Sequence, residues 1–158
     1  MDVRQVPTLG LANLMKKITV LMVDDNAVVR KGLCTLLETE GNSEVVGQAR
    51  NGREAVKMAH TLRPDVILMD IAMPVLNGFE ATLQILAANP AAKVLILSAH
   101  SDDAYVERGV AVGALGFLEK QTASENLAEA IREVAKGSFF FSPAIAKRRA
   151  NGKKCPHP

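Results

Sequence analysis

The sequence predicts an α/β domain, an open and doubly wound sheet of five parallel strands with helices on both faces. Three observations predict it. From Lys17 onward, aliphatic runs of strand length alternate five times with segments of helical spacing, the signature of repeated strand–helix units. The first run is apolar without alternation, as in a strand covered on both faces. Right-handed crossovers, near-universal in such units, then distribute the helices over both sides of one sheet.

The elements follow in order. "ITVLMV" (Ile18 to Val23) is the first strand, and "NAVVRKGLCTLLETE" the first helix, with Val29, Leu33, Leu36 and Leu37 at helical spacing and Gly41 as its stop. "EVVGQA" is a weaker second strand, closed by the Asn51-Gly52 turn. "REAVKMAHTL" reads as a helix ending before Pro64, since a residue preceding proline leaves the α region. "DVILM" is the third strand, and "GFEATLQILAA" the third helix, stopping at Asn89-Pro90. "KVLILS" and "DDAYVERGVAVG" form the fourth pair, with Asp102 or Asp103 near the helix N-cap. "ALGFLE" is a short fifth strand. "SENLAEAIREVAKG" is the fifth helix, with Leu127, Ala130, Ile131 and Val134 on one face, Ser124 as the expected cap and Gly137 as the stop.

Composition sets the class. The chain has 158 residues, 48% apolar and 23% charged, which suits one soluble domain rather than two. No apolar run is long enough to cross a bilayer. The first residues carry no apolar core or small-residue cleavage site of a secretory signal. Cys34 and Cys155 are too few for a disulfide framework. A cytoplasmic location is therefore expected. The net charge of +2 is unevenly spread: residues 18–146 hold 11 basic and 16 acidic side chains, a net of −5. Lys147, Arg148, Arg149, Lys153 and Lys154 make the tail basic, and it is expected to be solvated rather than bound to nucleic acid.

In an open parallel sheet, ligands bind beyond the carboxyl ends of the strands. Strand one ends in Asp24-Asp25, strand three in Asp70, strand four in Ser98 and strand five in Glu119-Lys120. Any one of these is ordinary as a turn or capping residue. Together on one rim they are not. Clustered carboxylates repel unless a cation compensates, and magnesium favours such oxygen ligands completed by a phosphate oxygen. An aspartate beside that metal can attack a phosphoryl group and form an acyl phosphate. Lys120 supplies positive charge, and Ser98 a hydrogen bond to a phosphoryl oxygen. Asp70 thus reads as a reactive group.

"VLMVDDN", "VILMDIAMPVLNGFE", "VLILSAH" and "ALGFLEK" together resemble the receiver domain of two-component response regulators, over residues of about 17–143. The resemblance is to the LuxR/NarL/FixJ-type subfamily, and it implies the flavodoxin-like strand order 2-1-3-4-5. It further implies Asp70 as phosphoacceptor. Asp25 would bind Mg2+ (or Mn2+) directly, Asp24 through water, and the Ala72 carbonyl would add a ligand beside Asp70. Ser98 and Lys120 take the phosphoryl-contacting roles. Phe117 occupies the place of the switch aromatic, as Phe rather than the frequent Tyr; Tyr105 lies in the fourth helix and is not that residue. Gln121 follows Lys120 where many receivers have proline, so their cis bond is not assumed. Ala72 and His100 stand where the family tunes phosphoryl lifetime, with His100 read as lining the mouth. His60 lies far from the rim and is read as structural.

The implied partners are a sensor histidine kinase or phosphotransfer protein, with a homodimer as a subfamily-level expectation. The chain is expected to be a switch consumed stoichiometrically, not an enzyme, although it catalyses its own phosphorylation and dephosphorylation. Residues 1–16 are taken as an N-terminal extension, 17–138 as the receiver, and 139–158 as linker and basic tail. "AIREVAKGSFFFSPAIAKRRANG" resembles the end of receivers that precede a helix-turn-helix domain, with Phe139, Phe140 and Phe141 expected to pack on the last helix. A DNA-binding output domain would need about sixty further residues and is absent from this chain, so a stand-alone receiver acting by phosphorelay or protein contact is the alternative. Rival classes fit less well. Aspartate-nucleophile phosphatases carry a second acid two residues after the nucleophile, where this chain has Ala72. Nucleotide binding lacks its phosphate loop, and Gly109, Gly113 and Gly116 precede a strand instead of following one. A silent interaction module is disfavoured because every phospho-site role is filled.

Overall fold

The structure, a computed structural model, describes residues 16–153. Its elements are β1 (Ile18–Val23), α1 (Ala27–Glu40), β2 (Ser43–Ala49), α2 (Gly52–Leu62), β3 (Val66–Asp70), α3 (Gly78–Ala88), β4 (Val94–Ser98), α4 (Asp103–Ala111), β5 (Gly116–Glu119), a 3₁₀ turn (Lys120–Thr122), α5 (Ala123–Ala135), β6 (Phe140–Phe141) and α6 (Pro143–Lys153). The sheet order is β2-β1-β3-β4-β5-β6, with every pairing parallel.

The unbroken apolar runs have a simple cause. Successive strand residues point to opposite faces, and both faces are covered. Val20, Met22, Leu68, Leu95 and Leu118 join Leu37, Leu127 and Ile131 in the core under α1 and α5. Leu21, Val23, Ile67, Met69 and Ile96 join Ala55, Phe79, Ile85 and Val106 in the core under α2, α3 and α4. Full burial of each large side chain stabilises by about 1.5–3 kcal/mol, so the central strands anchor the fold. The helices start just beyond the carboxyl ends of the strands, and short polar side chains fix four of these starts. Asn26, Asn51 and Asp102 each accept a first-turn amide, and Asn77 forms a reciprocal capping box with Glu80. Each cap is worth about 1 kcal/mol.

The expected five-stranded order is present and is extended by a sixth, two-residue strand: Gly116 and Phe117 pair with Phe140 and Phe141. Three other expectations need correction. Phe140 packs beside the α1/α5 core and Phe141 beside the other, while Phe139 stays 63% exposed, so the three do not simply cover the last helix. Helix α5 begins at Ala123 without a Ser124 cap, because the 3₁₀ turn feeds directly into it and the Ala123 amide donates to the Lys120 carbonyl. The basic tail is not simply solvated. It enters a helix at Pro143, a favoured first helical residue, and buries Ile145 completely. Residues 1–15 of the expected N-terminal extension, and Cys155, lie outside the described residues. No helix among the described residues is long and apolar enough to cross a membrane.

Candidate functional site

The register carries the expected residues to one rim. Val23 lies opposite Met69, Asp70 opposite Leu97, and Ser98 opposite Glu119. Residues that follow these strands therefore emerge side by side. The Asp24 amide, just past β1, donates to the Ala49 carbonyl of the neighbouring strand. Asp24 and Asp70 are buried, at 1% and 4% exposure, whereas Asp25 is open to solvent.

Lys120 bridges the two buried acids. Its Nζ lies 2.8 Å from Asp24 Oδ2 and 3.2 Å from Asp70 Oδ1. Asp70 Oδ1 also accepts the Ile71 amide at 2.9 Å. The other Asp24 oxygen accepts the Asn26 amide at 2.9 Å, and Arg30 holds the Asp24 carbonyl at 2.6 Å. Burial pushes the Asp70 carboxyl up to about 6 from an ordinary 3.8; the Asp24 charge adds to this, and Lys120 and the Ile71 amide oppose it. For Lys120, burial is the largest single influence and lowers its pKa. Its contact with Asp24 and the two nearby negative charges together outweigh burial, so the ammonium is held above its usual value. One positive charge thus serves two buried negative ones. The site remains short of positive charge.

Asp24, Asp25 and Asp70 each present a carboxylate oxygen, all within 4.8 Å of one another. Asp24 Oδ2 faces the ammonium as an ion pair but receives no directed hydrogen bond. An all-oxygen donor set with an undersatisfied buried oxygen and excess negative charge fits a hard divalent cation. Ala72, whose carbonyl completes the expected set, lies exposed in the β3–α3 loop. Beside it a cleft of 370 Å³ is lined by Asn77, Phe79, Tyr105 and Arg108 among others.

The remaining expected residues stand next along the rim. Ser98 is buried and its Oγ accepts the His100 amide at 2.9 Å. Phe117 is 1% exposed, with its ring against α4: a Cβ added at Gly109 would lie 3.1 Å from it. The His100 ring is exposed and sits 5.3 Å from that of Tyr105. His60 is exposed near the end of α2, at the opposite end of the sheet.

Several contributors to the site were not foreseen. Gly78 opens α3 so close beneath β3 that a Cβ there would sit 2.0 Å from the Asp70 carbonyl oxygen. Val75 has φ 72°, and the Leu76 amide donates to the Pro74 carbonyl at 2.7 Å, a three-residue γ-turn with a β-branched residue in a disfavoured region. The Asn-Gly pair after "MPVL" was the available signal for Gly78; none marks Val75. Arg30 lies four residues into its helix from the cap, where nothing distinguishes it from a solvated cation.

Comparison with known proteins agrees with this geometry. Residues 20–132 match the family described as response regulator receiver domain. The chain is 39% identical over 137 residues to the response regulator protein VraR of Staphylococcus aureus, covering 87% of this chain and 66% of that protein. The chain thus spans just under two thirds of these relatives' length. A crystal structure of a LuxR-family two-component response regulator from Aurantimonas sp. SI85-9A1 superposes with a TM-score of 0.83 at 30% identity, covering 87% of this chain and 99% of that one. A LuxR-family DNA-binding response regulator from Staphylococcus aureus superposes with a TM-score of 0.70 at 25% identity, over 75% of this chain and 98% of that one. The family match over residues 20–132, the superposition on such regulators, an acidic rim and a lysine on its two buried aspartates converge on one conclusion: the chain belongs to the response regulator receiver family.

Proposed function

We propose that Asp70 accepts a phosphoryl group from a phosphohistidine of a sensor kinase or phosphotransfer protein. An Asp70 carboxylate oxygen attacks phosphorus, the P–N bond to histidine breaks with its electron pair leaving on the imidazole, and an acyl phosphate remains. Water later cleaves that acyl phosphate, returning the carboxylate and inorganic phosphate. The observation that carries this reading is the Lys120 ammonium at 2.8 and 3.2 Å from two buried aspartates, with a third acid at their mouth. Attack requires the ionised carboxylate. A pKa of about 6 leaves Asp70 mostly ionised at neutral pH while keeping it basic for a carboxylate.

Asp24, Asp25, Asp70 and the Ala72 carbonyl are the residues that would hold Mg2+ or Mn2+, which supplies charge neutralisation to phosphoryl transfer. Lys120 keeps the buried acids compatible with folding and stands ready to pair with a phosphoryl oxygen. Ser98 donates its hydroxyl to another such oxygen, and Phe117 fixes the inner surface of α4 that responds. The receiver spans residues 17–138, and it works as a stoichiometric cytoplasmic switch. Output is transcriptional, through a DNA-binding domain of the kind named among its similar structures, and through self-association of phosphorylated chains.

The test is intact-mass analysis after incubation with Mg2+ and a small acyl phosphate. The wild type gains one phosphoryl group; Asp70→Asn and metal-free samples gain none. A folded wild type that gains none and also fails to bind beryllium fluoride with Mg2+ would sink the reading.

A further inference from the structure

The segment after α5 does more than end the fold. Strand β6 adds to β5, and α6 turns back over α4. Ile145 is fully buried in the core under α2, α3 and α4. Arg148 binds Asp103 through Nε at 3.1 Å and donates Nη2 to the main-chain carbonyl of Ser101. Arg149 pairs with Glu107 at 2.5 Å, and its guanidinium lies 4.8 Å over the Phe141 ring. Asp103 and Glu107 are well exposed, so these ion pairs alone are weak. The contact that reaches the β4–α4 loop is the one to the Ser101 carbonyl.

Ser101 lies in the β4–α4 loop, three residues after Ser98. Its hydroxyl donates to Glu119 Oε2 at 2.5 Å, and Glu119 immediately precedes Lys120. The same loop is held at its start by the His100 amide, which donates to Ser98 Oγ. Three anchors therefore share one short loop: Ser98 toward the rim, Glu119 toward β5, and Arg148 toward the C-terminal helix.

We propose that β6–α6 is a strap reading the state of the β4–α4 loop, and that phosphoryl loading at Asp70 loosens it. This rests on the phosphoacceptor reading above. When the Ser98 hydroxyl turns to a phosphoryl oxygen, the His100 amide loses its present acceptor geometry, and residues 99–102 settle differently. The Ser101 carbonyl then moves away from Arg148, a fixed-fork donor that tolerates displacement poorly. With that bond gone, Ile145, the exposed ion pairs and the Arg149–Phe141 contact still hold α6, more loosely. The α4 face beneath, bearing Asp103 and Glu107, is then covered only through exposed ion pairs that a basic partner surface can displace.

Hydrogen exchange with mass-spectrometric readout tests this on the full chain, using peptides covering residues 99–105 and 143–153. Loading with Mg2+ and acetyl phosphate is followed on the same samples by intact mass. Wild type that has gained a phosphoryl group should exchange about tenfold faster in α6, as expected for loss of one charge-assisted hydrogen bond. Unloaded Arg148→Ala should show that faster exchange already, while loading as wild type does. Loaded wild type with unchanged α6 exchange overturns the proposal, as does Arg148→Ala with wild-type exchange. Where no phosphoryl gain is seen, beryllium fluoride with Mg2+ replaces acetyl phosphate as the load; absence of both overturns the phosphoacceptor reading instead, and the release with it, while the unloaded Arg148→Ala sample still decides whether the clamp exists.

Discussion

The two ends of the sheet are unlike. At the amino end, α2 and α3 enclose a groove of 410 Å³ lined by Val56, Ala59, Ile67, Ile85 and Ala88, with Lys57, His60 and Arg63 also at its wall. At the carboxyl end the cleft beside Ala72 is smaller and more polar, yet the buried acids and Lys120 meet at that end. Cavity size points one way and electrostatics the other. The groove is what two helices leave when small residues such as Ala59, Ala88 and Ala92 line their seam. The rim holds buried like charges, which persist only where something else uses them. Unbalanced charge, not empty volume, marks the candidate site in this fold.

The largest test of that contrast is at the proposed nucleophile. Asp70→Asn should abolish phosphoryl gain entirely by intact mass, whereas Lys57→Ala on the groove wall should leave it unchanged. The pH dependence of stability sharpens it further. In the metal-free protein the folded state raises the Asp70 pKa from 3.8 to about 6, so the fold favours the protonated acid. Its contribution is fully present below pH 3.8 and is lost as pH rises through about 6, amounting to about 3 kcal/mol. Denaturant titrations at pH 4 and pH 7 should show Asp70→Asn gaining on the wild type by about 2 kcal/mol over the interval, since the unfolded carboxyl is already partly ionised at pH 4. Equal gaps at both pH values would break the account of a strained, charge-poor rim.

Smaller effects follow. Gly78→Ala should destabilise by about 1–3 kcal/mol, because its methyl meets the Asp70 carbonyl oxygen rather than a yielding side chain, and loading should slow as β3 shifts. Val75→Gly should raise stability by about 1 kcal/mol, since relief of the γ-turn strain exceeds the added freedom of the unfolded chain. Lys57→Ala should move stability by no more than about 0.5 kcal/mol. Thermal melts of the three variants rank them. A groove substitution that disturbs loading as strongly as Gly78→Ala would remove the distinction between the two ends.

Much of this was legible in the sequence because the strands are buried on both faces and announce themselves as unbroken aliphatic runs. Once their ends were placed, a parallel sheet carried Asp24, Asp70 and Lys120 together, and the structure puts them in contact. The resemblance gave the two adjacent acids different metal-binding roles, but their burial was not legible. "DD" does not reveal that the Asp24 side chain turns inward to Lys120 while Asp25 stays in solvent. Nor was the C-terminal segment. A two-residue strand is shorter than any periodicity, and α6 has a single fully buried apolar anchor in place of a stripe. Arg148 and Arg149 read as part of a solvated run because their partners lie 42 to 47 residues away.

The two-residue strand β6 also bears on how this chain meets others. An uncovered sheet edge offers a row of unpaired amides and carbonyls as a template for a foreign strand. Phe140 and Phe141 occupy that position beside Gly116 and Phe117, so the β5 margin is closed by the chain's own tail. Cutting the chain after Ser138 would bare this margin together with apolar surface left by Phe141 and Ile145. Such a shortened protein should be prone to edge-to-edge aggregation, and the span 139–153 acts in that sense as a built-in guard of solubility.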